Sequence, residues 1–249
     1  MGAKATKVGK RATTAKPAKR RSLVARLVRM LALATVALAA LSIALVVSLR
    51  WLNPPITGVM LQRKLEAASA GQPTALTRRW CNLAQLGQQL PRAVIAAEDQ
   101  RFMDHHGFDF VEIEKALEDA RTGDGMRGAS TITQQVAKNV FLTTHRSWLR
   151  KGLEVWFTLL IETFWSKQRV LEVHLNVAEW GPRLFGACAA ADRYFHTSAE
   201  QLSRTQAAQL AVTLPAPLSR RPDQLGEYSN RRVQWILAQM PNVRVPMPQ

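Results

Sequence analysis

Residues 128–142 read GASTITQQVAKNVFL, and a helix through them carries Ser130, Gln134 and Lys138 at i, i+4 and i+8. That spacing places a hydroxyl, an amide and an ammonium on one face. Gln135 and Asn139 widen the polar stripe, while Val136, Val140, Phe141 and Leu142 can face a core. Solvated helix faces are usually rich in Glu and Lys. Uncharged hydrogen-bonding groups around one ammonium suit hydroxyls and phosphates better. The plain alternative is a polar helix face that binds nothing.

Two carboxylates could act beside this stripe. Glu98 follows the apolar run AVIAA and opens the segment EDQRFMDHHGFD, residues 98–109. A carboxylate entering on an apolar helix is partly desolvated, which disfavours its charged form and raises its pKa. A general base working near neutral pH needs that shift. The alternative is that Glu98 and Asp99 begin an ordinary solvated patch. Glu154 lies four residues after Arg150 and three after Lys151. As a surface ion pair this adds about a few tenths of a kcal/mol. As chemistry it is a carboxylate holding two cations where a phosphate departs. No CxxC, HExxH or Cys/His cluster occurs, and adjacent His105 and His106 would point apart on a helix, so no structural metal site is expected.

The elements that position these groups are helical. Residues 60–68, 91–102, 109–120, 130–142, 147–165, 167–178, 185–195, 204–214 and 224–240 carry helical spacing, and alternating strand patterns are scarce. Pro91 suits a first helical turn, Gly107 ends or bends that helix, and Gly123-Asp124-Gly125 breaks the next. Val155, Trp156, Phe157, Leu159, Leu160, Ile161, Phe164 and Trp165 are apolar almost all round, as a core helix or a lipid-facing one would be. Lys167, Glu172 and Asn176 form a polar set that reads as mostly structural. Cys81 and Cys188 could pair in an oxidising compartment, and Cys188 within GACAAA reads as buried packing; the sequence leaves this open.

Residues 30–49 contain no charge. Twenty such residues in a helix span about 30 Å, the hydrocarbon thickness of a bilayer. Ten basic residues precede them (Lys4, Lys7, Lys10, Arg11, Lys16, Lys19, Arg20, Arg21, Arg26 and Arg29), and no acid precedes Glu66. The charge bias predicts a cytoplasmic N-terminus and an exported remainder. A cleaved signal peptide is the competing reading, but the apolar run is too long for an h-region and no convincing A-x-A site follows. The expected organisation is a basic cytoplasmic tail over 1–29, a transmembrane anchor over 30–50 with Trp51 at the interface, and an exported domain over 51–249. The chain has a formal charge of +16; removing the ten tail cations from 34 leaves 24 basic against 18 acidic residues, a body of +6. That balance favours an anionic membrane surface or a phosphorylated ligand. A nucleic-acid binder is disfavoured, because most of the charge sits in the tail and no DNA- or RNA-binding motif occurs.

Taken together the segments resemble the biosynthetic peptidoglycan glycosyltransferases of glycosyltransferase family 51, which polymerise lipid II. The EDxxFxxHxGxD motif is matched by Glu98, Asp99, Phe102, His105, Gly107 and Asp109. GxSTITQQxxKNxFL is matched from Gly128 to Leu142, and RKxxE by Arg150, Lys151 and Glu154. KxxxLExYLN is matched at Lys167, Leu171, Glu172, Leu175 and Asn176, with His174 where the family usually has Tyr. An LPNP-like turn appears as Leu214-Pro215-Ala216-Pro217, with Ala216 in place of Asn. The likeness is to the monofunctional branch, since the SxxK and KTG motifs of bifunctional relatives do not occur in these 249 residues.

The resemblance implies a mainly α fold: a lysozyme-like helical head and a smaller membrane-proximal jaw lobe, preceded by one transmembrane helix. It implies an inverting transfer with Glu98 as general base. Lys138, Arg150 and Lys151 would meet the pyrophosphate charge, and Glu154 would orient those cations or share a divalent ion, Mg or Mn, with it. Ser130, Thr131, Gln134, Gln135 and Asn139 would bind sugar and phosphate oxygens. Asp99, Phe102 and His105 complete the candidate set, with Asp99 and His105 ordering the loop that carries Glu98. No obligatory cofactor is expected. The expected partners are lipid II, the growing lipid-linked glycan, membrane lipid, and cell-wall synthases or division proteins, at a bacterial inner membrane with the catalytic domain in the periplasm. Two other classes compete: a lytic enzyme sharing the fold and Glu98, which would not need the cation cluster, and a non-catalytic scaffold, which would not need the complete set of motif acids and amides.

Overall fold

The computed structural model describes Gly2, residues 18–122 and residues 130–246. Most of the basic tail, the Gly123-Asp124-Gly125 break and Gly128 lie outside the described residues. The chain divides into two compact units, residues 1–44 and 45–249. The first consists mostly of helix α1, Ala18–Ser48. Its stretch Leu23–Ser48 is long and apolar enough to cross a membrane. The second unit begins inside the last turn of α1, a little before the expected boundary at residue 51. Val46 and Leu49 are buried in it, and the Trp165 indole donates to the Val46 carbonyl at 2.7 Å. Arg169 donates to the Leu49 and Leu52 carbonyls and to Asn53, which satisfies carbonyls left open at the helix end.

The body is mainly α. Its helices are α2 Gly58–Ser69, α3 Gln89–Glu98, α4 Phe110–Thr122, α5 Ile132–Phe141, α6 Trp148–Phe164, α7 Lys167–Val177, α8 Ala187–Phe195, α9 Arg204–Ala211 and α10 Glu227–Gln239. Three short strands, β1 Thr77–Arg78, β2 Glu179–Gly181 and β3 Leu184–Phe185, form one sheet in the order β1-β3-β2. β3 pairs parallel to β1 and antiparallel to β2. These strands are too short for a period-2 pattern, which is why the sequence does not announce them. The caps are legible: Ser147, Ser166 and Ser203 each accept a backbone N–H in the first turn of α6, α7 and α9.

The core runs along one side of α3, α5 and α7. Leu90, Ala93–Ala96, Ile132, Val136, Ala137, Val170, Leu171, Val173 and Leu175 are fully buried. α3 packs on α9, and α5 packs on both α6 and α7. Phe141 and Phe157 stack with ring centroids 4.3 Å apart, tying α5 to α6. Gly58 opens α2 against the end of α5, where a Cβ would lie 2.0 Å from the Leu142 carbonyl oxygen. Any larger residue there would force the two helices apart.

Cys81 and Cys188 form a disulfide. It ties the segment before α3 to α8 across 107 residues. Asn176 positions it, accepting from the Cys81 N–H at 2.8 Å and donating to the Cys81 carbonyl at 2.7 Å. A closed loop of this size restricts the unfolded chain by about 4–5 kcal/mol in the chain-entropy account. Replacing both cysteines with Ala is therefore expected to lower the thermal midpoint by several degrees, read by circular dichroism. An unchanged midpoint would contradict this.

His174 is fully buried on α7, and neither ring nitrogen has a hydrogen-bond partner among the described residues. Burial, with the Lys138 charge second, pushes its pKa down to about 3. The unfolded chain accepts a proton near pH 6.5 that the folded protein refuses. The stability linked to His174 is therefore fully present above about pH 6.5 and is lost as pH falls toward 3. The linkage amounts to about 2 kcal/mol between pH 7 and pH 5. His174→Phe should flatten this acid limb, read as urea midpoints at the two pH values. The same pH dependence in both proteins would contradict it.

Candidate active site

Glu98 is the last residue of α3. The apolar face of α3 buries against the core and carries the carboxylate to its edge, half-buried. Its Oε2 accepts from the Gln135 amide on α5 at 2.7 Å. Burial raises the Glu98 pKa; the Gln135 hydrogen bond and the charges of Lys138 and Arg232 pull it partly back. The C-terminal end of a helix also disfavours a negative charge.

The loop after Glu98 is rigid for identifiable reasons. Asp99 is buried; its Oδ1 meets His105 Nε2 at 2.9 Å and its Oδ2 accepts the Ile132 N–H at 2.9 Å. Asp109 Oδ1 accepts from the Val111 and Glu112 N–H groups at the start of α4. Phe102 is fully buried, with the Lys167 ammonium 4.6 Å from its ring centroid. Lys167 also pairs with Glu162 at 2.8 Å, and Thr133 donates to the same Glu162 oxygen at 2.5 Å. Gly107 takes a positive φ of 86°, and a Cβ there would lie 2.8 Å from Glu162 and Thr158 atoms. These groups brace the loop from behind, so Asp99, Phe102 and His105 position Glu98 and do not themselves face outward.

The helix expected over 130–142 begins at Ile132, two residues late. Ser130 is exposed and lies outside it, so the expected Ser130–Gln134–Lys138 face loses its first member. Thr131 is the N-cap, and Thr131 and Gln134 form a capping box. Both are buried; the Thr131 hydroxyl donates to the Gly107 carbonyl at 2.7 Å and the Gln134 side-chain oxygen Oε1 accepts the Thr131 N–H at 3.0 Å. The Thr131 hydroxyl and the Gln134 side-chain oxygen are thus engaged in fixing the start of α5. The face left for recognition is Gln135, Lys138 and Asn139, all half-buried.

Lys138 connects the two carboxylates. Burial lowers its pKa; Glu154 and Glu98 raise it, while Arg150 and Lys151 oppose them. Arg150 Nη1 lies 2.5 Å from Glu154 Oε2, and Lys151 Nζ 2.5 Å from Glu154 Oε1. Glu154 is buried, so this is no ordinary surface pair. Its carboxylate fixes two cationic heads beside a third. A divalent ion at Glu154 would find one carboxylate with both oxygens already facing cations, which is a poor donor set for Mg or Mn. Asp99, His105 and Asp109 bring ligand-type atoms within 4.8 Å of one another. Asp99 and His105 already pair, and Asp109 Oδ2 faces the Arg101 guanidinium at 3.3 Å. Sequence reasoning missed Arg232, on α10, whose charge acts on Glu98 and whose guanidinium donates to the Ala97 carbonyl at 3.4 Å. It lies 134 residues from Glu98 in no local pattern, so only the tertiary fold reveals it.

Residues 65–241 match the family described as Transglycosylase. The chain belongs to the transglycosylase family. It is 57% identical over 201 residues to a biosynthetic peptidoglycan transglycosylase of Pseudomonas aeruginosa, covering 81% of this chain and 87% of that one. Relatives of the same description from Pseudomonas entomophila and Stutzerimonas stutzeri are 50% identical over 224 residues and 52% identical over 203. Those alignments cover 90% of this chain and 95% of the relative, and 82% and 84%, respectively. This transglycosylase also exposes a group of large apolar side chains on two helices flanking the site. Trp148 is 92% exposed, Leu149 77% and Phe110 75%, with Leu117, Leu153, Trp156 and Leu159 also exposed. The apolar α6 is thus two-sided: Thr158, Leu160 and Ile161 are buried, and its other side is open.

Proposed function

We propose that this transglycosylase polymerises lipid II into β-1,4-linked glycan with release of undecaprenyl pyrophosphate. The observation that carries the reading is a half-buried Glu98 with a raised pKa, in the field of Lys138, beside which Glu154 holds the two further cations Arg150 and Lys151. A sugar hydroxyl is a poor nucleophile and needs a base. A pyrophosphate leaves readily once its charge is met, so it needs cations more than a proton donor.

Glu98 takes the proton of the acceptor 4-hydroxyl. That oxygen attacks the donor anomeric carbon, the bond to the pyrophosphate oxygen breaks, and the configuration inverts. The departing electron pair and charge go to the pyrophosphate, facing Lys138, Arg150 and Lys151. Gln135 orients the Glu98 carboxylate, and Asn139 hydrogen-bonds substrate oxygens.

The reading places the body in the periplasm and α1 in the inner membrane with its N-terminus in the cytoplasm. Support comes from ten basic residues before the apolar run and a disulfide suited to an oxidising compartment. The exposed apolar residues on α4 and α6 would rest in lipid, where a polyprenyl chain must be reached.

The test is incubation of the purified full chain in detergent with labelled lipid II, gel separation and muramidase digestion. Muramidase-sensitive polymer is expected. Cleavage of preformed glycan without polymer would instead make this a lytic enzyme.

A further inference from the structure

A cleft lies outside the set of residues that form the candidate active site. It has a volume of about 580 Å³ and is bounded by β1, the β2–β3 turn, the end of α8 and residues 217–221. None of its lining residues belongs to the candidate active site. Its walls combine Leu184 and Leu218 with the Tyr194 ring, and three guanidiniums, Arg193, Arg220 and Arg221, also line it.

Two of these arginines are fixed. Arg221 pairs with Asp223 at 2.7 Å, and Arg220 donates to the Val212 carbonyl at 3.2 Å with its guanidinium 5.9 Å from the Tyr228 ring centroid. Arg193 is exposed, and among the described residues it makes no hydrogen bond or ion pair. Its charge reaches Asp223 and Tyr194 only through space. Of the three guanidiniums lining the cleft, only that of Arg221 is paired with a carboxylate among the described residues. A planar fork matches a carboxylate in two parallel hydrogen bonds. The volume suits a ligand of a few residues, and the Leu and Tyr walls suit small apolar side chains.

We infer that this cleft binds a short carboxylate-bearing peptide, the stem peptide carried by each disaccharide of the glycan strand. The inference rests on the proposed polymerisation, because that reaction brings such peptides to this surface. A short peptide with small apolar side chains and free carboxylates matches both the apolar walls and the excess of arginine. A bare sugar would leave Arg193 without a counter-charge. Binding here would hold the strand at a point outside the reacting centre.

The experiment uses the full chain in detergent and a fluorescein-labelled stem pentapeptide with free carboxylates, read by fluorescence anisotropy. A second probe has the same carboxylates amidated. The free acid is expected to bind at least tenfold more tightly than the amide, and Arg193→Gln to weaken the free acid at least tenfold. Glu98→Gln should bind the peptide as the wild type does. Equal affinities for acid and amide, wild-type affinity in Arg193→Gln, or no binding by the wild type would each overturn the inference. Lipid II polymerisation without peptide binding would sink the cleft alone. Peptide binding without polymerisation would sink the proposed reaction and leave the cleft standing.

Discussion

Glu98→Gln is expected to lower kcat for lipid II polymerisation by about a hundredfold or more, the range that a positioned general base contributes. The substitution keeps the size and removes the proton acceptor. The neighbours predict that the fold survives. Glu98 ends α3 and accepts a hydrogen bond from the Gln135 amide, which can pair with a glutamine oxygen equally well. Circular dichroism and the thermal midpoint should match the wild type while turnover disappears. Turnover above a tenth of wild type would remove Glu98 as the base.

Lys138→Ala should be nearly as damaging for a different reason. Lys138 is half-buried, and its ammonium sits in the field of Glu98 on one side and of Glu154, Arg150 and Lys151 on the other. Removing one preorganised charge from such a site commonly costs about a hundredfold to a thousandfold in rate. The loss should fall on kcat/KM, and binding of a phosphoglycolipid that mimics the lipid-linked pyrophosphate should weaken with it. Lys138→Arg should recover part of the loss, since it restores charge but changes the reach of the head group. Unchanged kcat/KM and unchanged inhibitor affinity would make Lys138 a structural charge.

The sequence announced the helices because their apolar faces repeat with helical spacing and their starts carry Ser and Thr caps. It also placed Glu98, Lys138, Arg150, Lys151 and Glu154 in one neighbourhood, through motif order. It put Ser130, Thr131 and Gln134 within one helix, whereas Ser130 precedes α5 and Thr131 and Gln134 cap it, for a physical reason. A polar residue at a helix start and a polar residue on a ligand face look alike in one dimension. The capping box resolves them, because the Thr131 and Gln134 side chains turn back onto the backbone. The sequence leaves α6 open between a core helix and a lipid-facing one, and in the structure each description fits one side of it. Its apolar residues run round the helix, and only the packing against α5 shows which side is covered. Arg232 and the Lys167–Glu162–Thr133 brace depend on contacts between distant segments, which no local pattern encodes.

The most direct test of the account is the pH dependence of kcat/KM for lipid II in the wild-type full chain. Burial raises the Glu98 pKa above its ordinary value of 4.5, so the base is protonated and inactive at acid pH. The rate should fall as pH drops through an apparent pKa above 4.5, and that limb should vanish along with turnover in Glu98→Gln. A rate that stays flat down to the ordinary carboxylate range, or an acid limb that persists in Glu98→Gln, would contradict the assignment of Glu98 as the base.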